Sequence, residues 1–295
     1  MSMMEQITHR DIVIPADDGY RLAATVFMPQ AIPAGAPVTI IAGATGVPRS
    51  FYARFATYLA QAGRVAVTFD YRGIGGSLHG PVRQSKARFR DWGIIDVPGV
   101  LAWAAATYPG HPIHWVGHSY GGFATGLAHN NNLVARQFGV STMTADYRFV
   151  GNTIEAARIG LLLFAVGPLV AHTLGYVPGS VNGGADLPKG VLLEWSAWVR
   201  TRKFLFGRDD VPEQKYFATL KAPVRFAYLE DDAWIGHAGV EHLAAQYSNA
   251  TACSIWRVTL AESGADAVGH IGFFRSQFRA TLWPKALDWL DGKAD

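Results

Sequence analysis

Cysteine is nearly absent from this sequence: Cys253 is the single cysteine among 295 residues. One cysteine cannot form an internal disulfide, so the fold must be stable without cross-links. The N-terminal stretch MSMMEQITHRD also lacks the basic start, the apolar run and the small-residue cleavage site of a secretory signal. Together these absences predict a reducing, cytoplasmic location.

Charge is scarce as well, because Asp, Glu, Lys and Arg make up 17% of the chain and the formal net charge is +3. The basic residues are spread over the whole length, whereas a nucleic-acid partner requires them to be gathered in a patch or stripe. We therefore expect no nucleic-acid partner. The hydrophobic content of 49% over 295 residues predicts one large α/β domain with an insertion.

A long uninterrupted apolar run is also missing. The longest one, residues 159–171, is shorter than the about 20 residues that span a bilayer, and Pro168 interrupts it. We therefore expect no transmembrane segment. The run belongs to a longer stretch without any charge, residues 159–185.

The hydrophobic pattern predicts an α/β fold. Residues 11–29 alternate apolar and polar side chains around Asp17-Asp18-Gly19, which is typical of an antiparallel hairpin. Short apolar runs then alternate with amphipathic segments, which indicates a mostly parallel central sheet with helices on both faces. The strands are expected at 38–43, 64–71, 113–117, 134–142, 224–230 and 254–260, and the helices at 51–62, 96–107, 120–130, 237–247 and 278–290.

The strand rhythm is lost between residues 145 and 206, where Gly, Pro and Trp follow no regular pattern. We interpret this segment as an inserted helical cap that covers the sheet. The predicted domains are therefore a core formed by residues 1–144 and 207–295 and a cap formed by residues 145–206.

The clearest chemical motif is Gly117-His118-Ser119-Tyr120-Gly121, at the junction between a predicted strand and a predicted helix. A serine at such a junction occupies a tight turn, and small neighbours such as Gly117 and Gly121 allow the backbones to approach. Ser119 is thus the candidate nucleophile. The Tyr120 N–H, at a helix N-terminus, is a candidate donor to an oxyanion.

The acid and the base should follow the serine in the order Ser, Asp or Glu, His. Asp231 and Asp232 directly follow a predicted strand, and His270 lies between the last predicted strand and the last predicted helix. We select Asp232 as the acid, with Asp231 as the alternative, and His270 as the base.

A second oxyanion donor is expected in the small-residue loop after the first parallel strand. Ala44 is the preferred donor and Thr45 is the alternative. A metal site formed by His111, His114 and His118 is disfavoured because nothing nearby completes a tetrahedral ligand set. We expect no metal and no organic cofactor.

These motifs resemble the α/β-hydrolase superfamily. The resemblance rests on residues 42–46, on Asp70-Tyr71-Arg72-Gly73-Ile74-Gly75-Gly76-Ser77, on residues 117–122 and on Gly269-His270. Within it the chain looks like a little-characterised group related to the serine aminopeptidase-like and monoacylglycerol lipase-like branches. The resemblance implies the fold and a Ser-acid-His mechanism. The chain departs from the usual His-Gly oxyanion motif, since Ala42 replaces the histidine.

The expected function is that of a serine hydrolase cleaving a carboxylic ester of a small, hydrophobic acyl substrate. The alternatives are an acyltransferase with the same triad, an aminopeptidase-like amide hydrolase that uses Glu155 or Glu194 to hold the amine, and a non-catalytic binding module. The apolar cap could also mediate a homodimer. The expected substrate-binding residues are Leu162, Phe164, Trp195, Trp198 and Trp234.

Overall fold

The computed structural model describes residues 7–144, 150, 153–201 and 203–293, the side chain of Asn182 excepted. Three bounds of the predicted domains, residues 1, 145 and 295, lie outside the described residues, and the division into core and cap stays a prediction.

The described residues contain strands and helices in the following order. The strands are β1 (Thr8–Pro15), β2 (Arg21–Met28), β3 (Val38–Ala42), β4 (Val65–Phe69), β5 (Ile113–His118), β6 (Val134–Val140), β7 (Tyr176–Val177), β8 (Leu187–Pro188), β9 (Val224–Leu229) and β10 (Cys253–Val258). The helices are α1 (Ala53–Gln61), α2 (Phe89–Asp91), α3 (Val97–Thr107), α4 (Tyr120–Phe123), α5 (Thr153–Leu161), α6 (Gly167–Leu174), α7 (Gly179–Asn182), α8 (Lys189–Val199), α9 (His237–Ala244), α10 (Leu260–Ser263), α11 (Gly269–Gly272) and α12 (Leu282–Leu290).

Eight of the strands form one sheet in the order β1-β2-β4-β3-β5-β6-β9-β10. β1 and β2 form the expected antiparallel hairpin, β2 pairs antiparallel with β4, and the remaining neighbours pair in parallel. Every residue of β3, β4 and β5 is buried, as expected for strands covered by helices on both faces. The predicted fold class is confirmed.

The helix after the serine is shorter than predicted. The sequence indicated a helix over 120–130, whereas α4 ends at Phe123 and a 3-10 turn, Ala124–Leu127, follows. Glycine is a poor helix former, and this segment contains three glycines. A Cβ on Gly126 would lie 2.4 Å from the Phe217 ring, so close packing requires glycine there.

In the described part of 145–206, α5, a π-helical turn (Leu162–Val166) and α6 form one continuous helix, Thr153–Leu174. The prediction that Pro168 interrupts this run is wrong. Proline has no N–H to donate to the carbonyl four residues earlier. Arg200 Nη2 donates to the Phe164 carbonyl at 2.9 Å instead, so the helix passes through Pro168 with that acceptor satisfied.

This helix is also longer than the predicted apolar run. It has 22 residues and a mean hydropathy of 1.8 in its most apolar window, of which 22% is buried, so its length and composition would allow it to cross a membrane. The apolar run is therefore part of a longer apolar helix than the sequence indicated, and the absence of a transmembrane segment stays a prediction. Four residues spaced four apart form its buried inner face: Ile159, Leu163, Gly167 and Ala171. The outer face exposes large apolar side chains, namely those of Ile154, Leu161, Val166, Leu169 and Leu174.

Candidate active site

Ser119 lies in a strained turn between β5 and α4, with φ 52° and ψ −112°. A positive φ is unfavourable for a residue with a side chain and requires support from its surroundings. The supporting neighbours are glycines at close backbone contacts. A Cβ on Gly117 would lie 2.0 Å from the Gly121 carbonyl oxygen, and a Cβ on Gly121 would lie 2.3 Å from that of Ala42. The turn therefore depends on both glycines of the motif.

Tyr120 is the first residue of α4, so the helix itself offers no acceptor for its N–H. The Tyr120 hydroxyl is not available to an oxyanion, because it donates to the Phe89 carbonyl at 2.8 Å. The Tyr120 backbone N–H, next to Ser119, thus remains a candidate oxyanion donor.

The structure brings Asp232 to His270. The Asp232 Oδ2 atom lies 2.9 Å from His270 Nδ1, and its Oδ1 accepts the Trp234 N–H at 2.9 Å. The Asp232 side chain is fully buried, and the Trp234 ring stacks on the imidazole with centroids 5.5 Å apart. A carboxylate on Nδ1 leaves Nε2 as the nitrogen that can take up a proton.

Asp231 has a different position. Its Oδ2 accepts the N–H groups of Val268 and Gly269 at 2.8 and 3.0 Å, so it holds the backbone just before His270 and does not bind the ring. Sequence reasoning left two acids open. In the structure Asp232 orients the histidine and Asp231 orients its loop.

Ser119 and His270 line one cavity. Among the described residues no hydrogen bond joins their side chains, and such contacts are commonly long until a substrate binds. The arrangement therefore supplies a hydroxyl and an oriented imidazole to the same space.

The preferred second oxyanion donor, Ala44, has another partner in the structure. The Ala44 N–H donates to the Tyr52 hydroxyl at 2.9 Å, which corrects the preference for Ala44. No acceptor among the described residues contacts the N–H of Thr45, which also lines the cavity. The alternative donor, Thr45, is therefore the better candidate.

The other histidines of the motif region each have separate partners. His118 is buried, with Nδ1 2.8 Å from the Tyr52 hydroxyl and Nε2 2.8 Å from the His270 carbonyl oxygen. His111 contacts the Ala36 carbonyl and His114 contacts Arg64. Among the described residues no group of three potential ligands is placed to hold a metal ion.

The cavity has a volume of about 310 Å³ and an apolar wall. Of the predicted substrate-binding residues, Trp195 and Trp234 line it. Leu162, Phe164 and Trp198 do not, and a contact of these three residues with substrate stays a prediction. Trp198 is fully buried against Phe204 and Phe89, while Phe164 lies under the Arg200 guanidinium at 5.0 Å.

Sequence reasoning missed most of the cavity wall. The additional large apolar residues are Phe89, Phe123, Met143, Ile159, Leu163, Leu187, Val199 and Phe204. Leu163 lies within the apolar run 159–171 that the sequence indicated, one position beyond Leu162. Phe89 carries no local signal, because α2 is only three residues long. It stacks on Trp195 with centroids 5.7 Å apart.

Comparisons with known proteins identify the family and the fold. The model of the alpha/beta hydrolase family matches residues 40–281, well over half of the chain. The chain therefore belongs to the α/β-hydrolase family. No curated protein sequence matches it significantly.

Solved structures show the same fold. The chain is similar to the Pyrococcus furiosus esterase Pf2001, with 14% identity, a TM-score of 0.60 and coverage of 98% of this chain and 94% of that one. It is similar to a soluble variant of monoglyceride lipase from Saccharomyces cerevisiae, with 15% identity, a TM-score of 0.64 and coverage of 99% and 96%. It is also similar to Est1E from Butyrivibrio proteoclasticus with bound ferulic acid, with 15% identity, a TM-score of 0.60 and coverage of 95% and 99%. At these identities the likeness shows the fold alone.

Proposed function

We propose that this chain is a carboxylic ester hydrolase that acts on small esters with an uncharged, apolar acyl group. The observation that carries the proposal is the cavity, because Ser119 and His270 both line it and, within the part of the chain that the structure describes, no Asp, Glu, Lys or Arg does. An apolar acyl group gains roughly 25 cal/mol per Å² on leaving water, whereas a charged group there would lose its hydration without a partner.

In the proposed mechanism Ser119 Oγ attacks the ester carbonyl carbon while His270 Nε2 takes up the hydroxyl proton. The tetrahedral oxyanion accepts hydrogen bonds from the N–H groups of Tyr120 and Thr45. The bond to the leaving alcohol then breaks, and His270 returns the proton to the alcohol oxygen. Asp232 keeps the imidazole oriented and stabilises its protonated form.

The acyl-enzyme is hydrolysed by an equivalent pair of steps, in which water is the nucleophile and the Ser119 oxygen is the leaving group. Water gives a proton to His270 and attacks the acyl carbon. The Ser119 oxygen then leaves with that proton, and the carboxylic acid is released. No metal and no organic cofactor takes part in any of these steps.

The alternative functions differ in their requirements. An acyltransferase shares the first half-reaction and lets an alcohol or thiol replace water. An aminopeptidase requires a carboxylate near the scissile bond, but neither Glu155 nor Glu194 lines the cavity, and Glu194 accepts the Arg90 N–H at 2.7 Å. The lining therefore favours esters over peptides with a free amine.

The test is a panel of p-nitrophenyl esters of increasing acyl length, measured on the wild type and on Ser119→Ala. We expect the variant to lose turnover by several orders of magnitude and to lose covalent labelling by a fluorophosphonate. Ser248→Ala, at an exposed position, is the matched control. Labelling or turnover that survives in Ser119→Ala would contradict the proposal. Product analysis with added alcohol measures how the acyl group divides between water and the alcohol.

A further inference from the structure

A chain of three hydrogen bonds connects the loop after β3 to the loop that carries His270. The Ala44 N–H contacts the Tyr52 hydroxyl at 2.9 Å, and that hydroxyl lies 2.8 Å from His118 Nδ1. On its other side the His118 ring places Nε2 2.8 Å from the His270 carbonyl oxygen. His118 directly precedes Ser119, so the series of hydrogen bonds passes beside the candidate nucleophile.

The direction of every bond in this chain follows from donor and acceptor chemistry. The His270 carbonyl oxygen can only accept, so His118 Nε2 must carry the hydrogen. A neutral imidazole then presents Nδ1 as an acceptor, and the Tyr52 hydroxyl donates to it. The hydroxyl oxygen in turn accepts the Ala44 N–H. One arrangement of hydrogens therefore satisfies all three contacts.

The two side chains that form these hydrogen bonds are shielded from solvent, so water does not compete for their donors and acceptors. Tyr52 and His118 have no exposed surface, and the Phe274 ring packs on both of them at 5.0 and 5.2 Å. Burial lowers the pKa of His118 to about 3, so the ring is neutral at ordinary pH. Burial also raises the pKa of the Tyr52 hydroxyl, which keeps its proton.

We propose that Tyr52 and His118 are positioning residues. They set the distance between the loop after β3 and the loop of His270, and this distance orients the imidazole towards Ser119. Neither side chain lines the cavity, so they act through Ala44 and the His270 backbone. The inference rests on the proposed ester hydrolase function. It assigns to His118 a role that is separate from proton transfer.

The kinetic test starts with Tyr52→Phe, which removes one hydroxyl and leaves the ring. We expect kcat for a p-nitrophenyl ester to fall about ten- to hundredfold, since a misplacement of about 1 Å in an active site can cost ~10²-fold. KM should change little, because the cavity wall is intact. Tyr58→Phe, on the neighbouring α1 and with its ring half-buried, is the matched control and should keep full kcat.

The second pair of variants separates the two ends of His118. His118→Gln can still offer an N–H to the His270 carbonyl and should recover much of the kcat lost in His118→Ala. Combining His118→Gln with Tyr52→Phe should cost little beyond the worse single variant, because both break the same contact. Additive losses, an effect confined to KM, or an equal loss in Tyr58→Phe would overturn the proposal.

A measurement on the unmodified chain guards against variants that fail to fold. Nitrogen NMR shifts of labelled histidine, assigned by the signal missing in His118→Gln, should show His118 as the neutral Nε2–H form between pH 5 and 8. The Nδ1–H form, or titration within that range, would overturn the inference. If Ser119→Ala is inactive but Tyr52→Phe is fully active, the inference fails and the hydrolase function stands. The tautomer remains measurable even if no tested ester is cleaved.

Discussion

The polar half of the site and its apolar half are held in different ways. The polar half lies at the ends of β5 and β9, where His118, Asp231 and Asp232 each make directed hydrogen bonds to two partners. The apolar half is the cavity wall, where Leu163 and Trp195 are positioned by packing. We therefore expect changes in the polar half to lower kcat for every substrate, and changes in the apolar half to alter the ratio of kcat/KM between substrates.

The largest effect should separate two neighbouring acids of the polar half. Asp232→Asn removes the carboxylate that fixes the His270 tautomer, so kcat should fall by about four orders of magnitude. Asp231→Asn retains a carbonyl oxygen that can accept the N–H groups of Val268 and Gly269, so its loss should stay below about a hundredfold. Both variants are compared by kcat on one ester. Equal losses would show that the two acids are not divided between ring and loop.

A smaller effect should distinguish the inner from the outer face of the helix Thr153–Leu174. Leu163→Trp fills part of the cavity, so kcat/KM for a bulky acyl ester should fall about tenfold or more relative to an acetyl ester. Leu161, two residues earlier and 61% exposed, provides the control. Leu161→Trp should leave the ratio of the two kcat/KM values unchanged. A uniform loss on both esters in Leu163→Trp would mean that this wall supports the rate and not the selectivity.

The smallest effect concerns pH and stability in the polar half. Because burial lowers the pKa of His118 to about 3, below its unfolded value of about 6.5, the unfolded chain binds a proton there first. Stability is therefore lost as the pH falls from 6.5 towards 3, by about 1 kcal/mol between pH 6.5 and 5.5. His118→Asn should reduce this slope of the free energy of unfolding, measured by urea denaturation at each pH. His129→Asn, at an exposed position, is the control, and identical slopes for wild type and His118→Asn would refute the expectation.

The sequence was informative where chemistry and chain position coincide. Ser119 could be selected because it lies at the junction between β5 and α4, and His270 because it follows the last strand of the sheet and precedes the last helix. Asp232 could be preferred but Asp231 stayed open as the alternative, because neighbouring residues at a strand end point in different directions that only coordinates reveal. Ala44 was preferred by position alone. Its hydrogen bond to Tyr52 depends on a ring from another element.

The residues of the cavity wall were less predictable than those of the polar half. Packing selects residues by shape and volume, and many apolar sequences satisfy it equally well. Leu162, Phe164 and Trp198 were therefore reasonable expectations but do not line the cavity, while Phe89 reaches it from the core. The break expected at Pro168 is absent, and Arg200, far along the chain, donates to the Phe164 carbonyl that the proline leaves without its N–H.

The π-helical turn Leu162–Val166 keeps the inward-facing residues of the helix Thr153–Leu174 on one side of that helix. The inward residues Ile159, Leu163, Gly167 and Ala171 repeat every four positions, whereas a regular helix of 3.6 residues per turn would rotate such a series by about 40° at each step. The wider turn absorbs this drift, so one side of the helix faces inward along its whole length. Deleting a single residue there, such as exposed Ala165, would leave the four inward residues spaced as in a regular helix, four, three and four positions apart, so the same face would still point inward.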